Sequence, residues 1–223
     1  MEEAQAYEEL RVGFTAAVSH ELRTPLARLL ALLDTASLAG ADRDTLLSQA
    51  REQVEEMSEL VDDVLFLSEL ESGREVVALG STPALPVLEE VRDRLADSAE
   101  RADIGLVVDA PAEVQLPLRR RMLYIVAENL AENAIRYAGP GATLTLVARD
   151  GVLEANDDGR GIEEDDLPRL FERFYRSDRA RSSRGTGLGL AIVKHVVVSA
   201  GGEISAAGGP GRGLQIRCTF PAP

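Results

Sequence analysis

Apolar residues recur every three to five positions from Tyr7 to Leu33, through Leu10, Phe14, Ala17, Leu22, Leu26, Leu29 and Leu30. That spacing predicts one long amphipathic helix over 5–36. Gly40 breaks the pattern, and Asp42 or Asp44 is placed to cap a second helix running to about Leu70. Its stripe is Leu46, Leu47, Ala50, Val54, Met57, Leu60, Val61, Val64 and Leu67. Two helices with a short connection form an antiparallel hairpin. A lone hairpin cannot bury both stripes, so the pattern predicts a dimer in which two hairpins make a four-helix bundle.

The pattern changes at Ser72–Gly73, and the stretch from Ser72 to Thr82 reads as a hinge. After Ser72–Gly73, short β-type runs alternate with helical stretches. Strands are expected at Val76–Leu79, Ile104–Asp109 and Val114–Leu116, and helices at Thr82–Ala96 and Arg119–Tyr137. Thr143–Arg149 and Val152–Asn156 flank an Asp150-Gly151 turn, a strong hairpin signal. Leu188–Ser199 is apolar enough for a buried helix, and Gly202–Ala207 with Gly213–Phe220 reads as a closing pair of strands. The mixture predicts an α+β chain: a helical hairpin over 1–75, then an α/β sandwich over 76–223 with helices on one face of a sheet.

Composition sharpens this outline in three places. The 223 residues suffice for two domains, and 45% hydrophobic residues support a core built without Trp. The net charge of −14 argues against a nucleic-acid partner. It is concentrated in residues 1–75, where 17 acidic residues face 6 arginines. The lone Cys218 excludes an intrachain disulfide and, within an apolar run, reads as a small core residue. No apolar run approaches the roughly 20 residues that cross a bilayer, and no signal segment opens the chain, so no membrane insertion by this chain is expected.

Four constellations carry chemistry. In FTAAVSHELRTPLARLL (14–30), Pro25 sits within a helical pattern at a cost of about 3 kcal/mol in an ordinary helix. Pro25 lies five residues after His20, and His20 falls on the polar side of the stripe, next to Glu21. A neutral imidazole is a nucleophile that an adjacent carboxylate can orient and deprotonate. In AENLAENAIRYA (127–138), Asn129 and Asn133 share one helical face, with Glu128 or Glu132 beside them; oxygen donors of this kind suit Mg²⁺. In NDDGRGI (156–162), Gly159 and Gly161 allow positive φ and close approach by a planar ligand, and a carboxylate at a strand end can accept from an exocyclic amine. In RGTGLGL (184–190), Gly185, Gly187 and Gly189 precede a helix whose amides can hold phosphates. The preceding stretch, 169–184, carries six arginines (169, 173, 176, 179, 181, 184) against Glu172 and Asp178 and reads as a mobile cationic lid. His195, inside the apolar helix, reads as structural.

These strings resemble the sensor histidine kinases of two-component systems. Ser19–Leu26 matches the phospho-acceptor box S-H-E-L-R-T-P-L letter for letter. The resemblance implies His20 as the phosphorylated residue, Glu21 as its acid/base partner and Thr24 as the residue placing water in a reverse phosphatase reaction. The second string is similar to the family's N-box. It implies Asn133 as the Mg²⁺ ligand, Glu128 or Asn129 as support, and Arg136 and Tyr137 as nucleotide contacts. The third resembles the first glycine box of a Bergerat-type ATP-binding fold. It implies Asp157 as the adenine-amine acceptor beside Gly159 and Gly161, with Arg160 replacing a commoner proline. FERFYR (171–176) resembles the phenylalanine box, giving Phe171, Phe174 and Arg176. The last string resembles the second glycine box: Gly185, Thr186, Gly187, Leu188 and Gly189.

The resemblance spans residues 14–190 and implies ATP and Mg²⁺ as cofactors, a homodimer through 1–75, and phosphotransfer from His20 to a response-regulator receiver aspartate. The nucleotide fold alone would also fit a heat-shock-type or mismatch-repair-type ATPase, or an anti-sigma serine kinase, but these lack the acceptor helix. A degenerate nucleotide-binding scaffold or a phosphatase-dominant protein is the alternative. A cytoplasmic setting is expected, free or as the cytoplasmic portion of a membrane-bound sensor, and the opening EEAQAYEEL reads as the tail of a longer receptor.

Overall fold

The computed structural model of the chain describes residues 2–38, 42–72, 80–177 and 185–221, with side chains from residue 14 onward. It divides into two compact units, Met1–Phe66 and Leu67–Pro223. The first holds helix α1 (Glu2–Ala36) and most of α2 (Arg43–Glu71), the hairpin that the two stripes predict. Of the two candidate caps, Asp42 serves α2: its carboxylate accepts from the Thr45 amide at 3.3 Å and the Thr45 hydroxyl at 2.7 Å. Pro25 lies inside α1 without ending it, and its missing N–H leaves the Glu21 carbonyl without a helical donor.

The hairpin leaves its stripes open. Among the described residues of this unit, only Pro25, Ala50 and Leu60 are buried. Leu26, Leu30 and Leu33 on α1 and Leu47, Val54, Val61 and Leu65 on α2 remain 43–57% exposed. Leu47, Val54 and Val61 stand seven residues apart, the spacing of a coiled-coil seam. Covering half of one such side chain is worth about 1 kcal/mol, so a partner seated on this face would gain several.

The second unit is built on a five-stranded sheet in the order β2 (Gly105–Asp109), β4 (Thr143–Arg149), β5 (Val152–Asp157), β7 (Leu214–Thr219), β6 (Glu203–Gly208). β2 runs parallel to β4 and the other neighbours pair antiparallel. The β4–β5 hairpin turns at the expected Asp150-Gly151, where Gly151 has φ +67°. A two-stranded ribbon joins β1 (Thr82–Pro83) to β3 (Gln115–Leu116). Helices α3 (Ala84–Ala102), α4 (Arg120–Tyr137) and α5 (Gly189–Ser199) pack on one another and on the sheet. Alternation along the strands fills the interface: Leu144, Leu146, Ala148, Leu153, Ala155, Ile216 and Cys218 are all buried. Burial pushes the Cys218 thiol up to about 12, so it stays protonated as an inert core residue.

Several boundaries differ from the expectation. Thr82 and Pro83 form β1, so the helix begins at Ala84. It also continues past Ala96 to Ala102, where Asp103 takes the left-handed conformation at φ 57° and donates its amide to Ala99 and Glu100 carbonyls. The last turn of α2 falls in the second unit, with Leu67 and Leu70 buried there. The strand expected at Val76–Leu79 lies outside the described residues, as does most of the hinge. Among the described residues, no helix is long and apolar enough to cross a membrane.

Candidate functional site

The site is organised by α4. Its buried face (Met122, Leu123, Val126, Ala127, Leu130, Ala131, Ala134) repeats at alternating spacings of one and three. The opposite edge therefore carries Asn129, Asn133, Arg136 and Tyr137, all half-buried. Asn129 answers its poor helix propensity by donating from Nδ2 to the Ile125 carbonyl at 2.8 Å. Its Oδ1 lies 2.4 Å from where a Cβ on Gly189 would stand, so any side chain at the first residue of α5 would displace the Asn129 amide. Arg136 pairs with Glu132 at 3.1 Å. The Arg136 Nη1 and the Tyr137 hydroxyl each approach a Cβ position on Gly185 to 3.1 Å. The α4 edge thus meets both ends of the Gly185–Gly189 loop.

That loop is shaped by glycine. Gly185 (φ +138°) and Gly187 (φ +69°) adopt conformations that side chains disfavour. A Cβ on Gly187 would sit 2.9 Å from the Phe174 backbone, whose amide donates to the Gly187 carbonyl at 2.9 Å. Phe174 itself is left-handed at φ 60°, a strained state for an aromatic residue that no sequence signal announced. Thr186 is buried, and its hydroxyl accepts from the Leu188 amide at 3.2 Å. Leu188, wholly buried, precedes α5. Phe171 and Arg176 are half-buried.

Asp157 ends β5, a strand that packs against α4. Its Oδ1 accepts from the Gly159 amide at 3.0 Å and the Leu214 amide at 3.3 Å. Among the described residues nothing bonds Oδ2, which is left for an incoming donor. Burial raises the carboxyl above the ordinary aspartate range, with Asp158 adding to the rise and the two amides opposing it. The neighbouring glycines act on the chain itself. A Cβ on Gly159 would lie 2.3 Å from the Ala138 carbonyl, and one on Gly161 (φ +69°) 2.0 Å from that of Gly209. They let the loop lie directly on the end of α4 and on the β6–β7 turn.

Two sequence expectations are refined. Glu128 faces α3: it pairs with Arg94 at 2.8 Å and accepts from the Tyr124 hydroxyl at 3.1 Å, while burial and Glu128 push Tyr124 up to about 12. Of the two supporting candidates, Asn129 is the one at the glycine loop. The arginine-rich stretch is partly committed elsewhere. Arg169 stacks 4.3 Å from the Tyr175 ring centroid and pairs with Glu172, and Arg173 pairs with Glu71. Arginines 179, 181 and 184 lie outside the described residues. His20 and Thr24, one helical turn apart, are both exposed on α1, with Glu21 half-buried between them.

The donor set fits Mg²⁺ bound with nucleotide. Asn133 offers an amide to which no described residue bonds, and the described residues contain no cluster of three or more His, Cys, Asp or Glu that could hold a metal. An ion that keeps its waters and takes most other ligands from phosphates needs little more from the protein.

Two family models match the chain. Residues 10–73 match the His Kinase A (phospho-acceptor) domain, and residues 119–223 match the histidine kinase-, DNA gyrase B-, and HSP90-like ATPase. The sensor-like histidine kinase SenX3 of Mycolicibacterium smegmatis is 33% identical over 96% of the chain and 58% of its own length. The phosphate regulon sensor protein PhoR of Pseudomonas aeruginosa is 35% identical over 96% of the chain and 50% of its own. The chain thus spans about half the length of the curated relatives it matches. Among solved structures, the Acinetobacter baumannii histidine kinase AdeS superposes with a TM-score of 0.72 at 28% identity, over 90% of the chain and 97% of AdeS. The histidine kinase ThkA, solved with the response regulator TrrA, shares the fold at a TM-score of 0.77 and 21% identity, over 100% of the chain and 65% of that structure.

Proposed function

The chain belongs to the sensor histidine kinase family, and we propose that it transfers the γ-phosphoryl of ATP to His20 and then to a receiver-domain aspartate of a response regulator. Residues 1–75 serve as the dimerisation and phosphotransfer domain, and residues 76–223 as the ATP-binding domain. One observation carries the reading: Asn129, Arg136 and Tyr137 join the polar edge of α4 to a glycine loop at a helix N-terminus, two segments about 50 residues apart in sequence. Amides of that loop and the start of α5 face phosphate oxygens, and Oδ2 of Asp157 accepts from the adenine amine.

In the chemical step a His20 imidazole nitrogen attacks the γ-phosphorus in line, the bond to the β–γ bridging oxygen breaks, and ADP leaves. Glu21 orients the ring and takes its proton. Asn133 would hold Mg²⁺ together with the nucleotide, and the ion when bound would supply charge neutralisation on the phosphates. The protein's main contribution is to place His20 against the γ-phosphoryl. His20 stands in one unit and the nucleotide site in the other, so the chemical step requires the two domains to meet. The open seam of Leu47, Val54 and Val61, with Leu26, Leu30 and Leu33, supports a second copy as its cover. The setting proposed is cytoplasmic, as part of a longer sensor.

Asn133→Ala tests the kinase half. It should lower phosphohistidine formation at least about 100-fold while the protein still elutes as a dimer; unchanged labelling removes Asn133 from the site. Thr24 tests the phosphatase half. Thr24→Ala should keep autophosphorylation within about twofold and slow dephosphorylation of the phosphorylated cognate receiver roughly tenfold. Equal dephosphorylation rates would reject that role.

A further inference from the structure

We infer that Arg160 is a positioning residue that sets the register between Asp157 and the nucleotide-facing turn of α4; the inference rests on the nucleotide-binding reading above. The last carbonyls of a helix have no partner within it, and a cation near them is favoured by the helix dipole. Arg160 meets both needs at once. Its amide donates to the Ala138 carbonyl at 2.9 Å, and its guanidinium Nε donates to the Tyr137 carbonyl at 2.5 Å. Its own carbonyl accepts from the Gly211 amide at 2.7 Å in the β6–β7 turn. One residue therefore ties the end of α4, the Asp157–Gly161 loop and that turn together.

What these bonds join is informative. The last five residues of α4 carry Asn133 and, facing the glycine loop, Arg136 and Tyr137. Three residues before Arg160 stands Asp157, held from the other side by the Leu214 amide. The distance between the adenine end and the phosphate end of the site is thus fixed through the Arg160 side chain. That side chain is exposed and fills no core space. The loop also keeps other anchors without it, including the Gly213 amide on the Gly159 carbonyl at 3.0 Å and the Arg160 amide itself. Loss of the guanidinium should therefore blur the register and leave the fold in place.

The experiment compares wild type, Arg160→Ala, Arg160→Lys and Arg160→Gln in the whole chain. It measures Kd with a fluorescent trinitrophenyl ATP analogue, and KM and kcat for phosphohistidine formation. Arg160→Ala should raise Kd and KM roughly threefold to tenfold, with kcat at saturating ATP within about twofold. Arg160→Lys, which keeps a charged donor, should recover most of that loss. A KM for Arg160→Ala equal to wild type, or a loss that Arg160→Lys leaves untouched, overturns the assignment. Should Arg160→Ala lose its far-UV dichroism, Arg160→Gln decides by the same two numbers, since it keeps a neutral donor of similar reach. A wild-type chain that binds no nucleotide would overturn the nucleotide reading first, and this inference with it.

Discussion

His20→Gln is expected to abolish phosphoryl incorporation, by at least about 1000-fold, while ATP affinity stays within about twofold of wild type. The amide matches much of the imidazole's bulk and polarity but carries no nucleophilic nitrogen. His20 is exposed on α1, so the replacement disturbs no packing. The nucleotide residues all lie in the other compact unit, so binding should be indifferent to the change. Both numbers matter. Loss of labelling with loss of ATP binding would point to a folding defect, and residual labelling would place the acceptor elsewhere.

Asp157→Asn is expected to separate binding from stability. The amide can still accept from the Gly159 and Leu214 amides, but it turns a donor toward the adenine amine. Losing a hydrogen bond to a charged acceptor costs about 1.5–3 kcal/mol, roughly 10- to 150-fold in Kd for ATP. Stability should move the other way. Burial raises the folded-state carboxyl, so the folded chain holds this proton to higher pH than the unfolded one. Stability therefore falls as pH rises through the window between the ordinary aspartate value and the raised one, and stays lowered above it. The neutral variant escapes that loss. At pH 7 without nucleotide its Tm should equal or exceed wild type, and the advantage should vanish below the aspartate range. ATP at a concentration that just saturates the wild type should raise the wild-type Tm more than the variant's. A variant less stable than wild type at pH 7, or one with unaltered ATP affinity, would show that the carboxylate is a structural anchor.

Much of this was legible before any coordinates. The hairpin followed from two apolar stripes, and the β4–β5 turn from Asp150-Gly151. The four strings placed the candidate residues on helix, strand end and loop as they occur. What stayed illegible depended on tertiary contact. Asp103, not a glycine, ends α3 in the left-handed region, so the helix ran six residues past its expected end. Glu128 and Asn129 are neighbours in sequence, yet one faces α3 and the other the glycine loop, because a 100° step per residue separates them. Gly159 and Gly161 were recognisable as required glycines, but the space they leave is filled by Ala138 and Gly209. Arg160 read only as a replacement for a commoner proline; its bonds to Tyr137 and Ala138 show what a proline, lacking both the amide and the guanidinium, could not do.

The proposed phosphohistidine is tested most directly by the chemistry of its bond. Incubation of the wild-type chain with γ-labelled ATP and Mg²⁺ should give protein-bound label that survives alkali and is lost in mild acid, as a phosphorus–nitrogen bond requires. Label that survives acid, as a serine or threonine ester does, or no label at all, would contradict it.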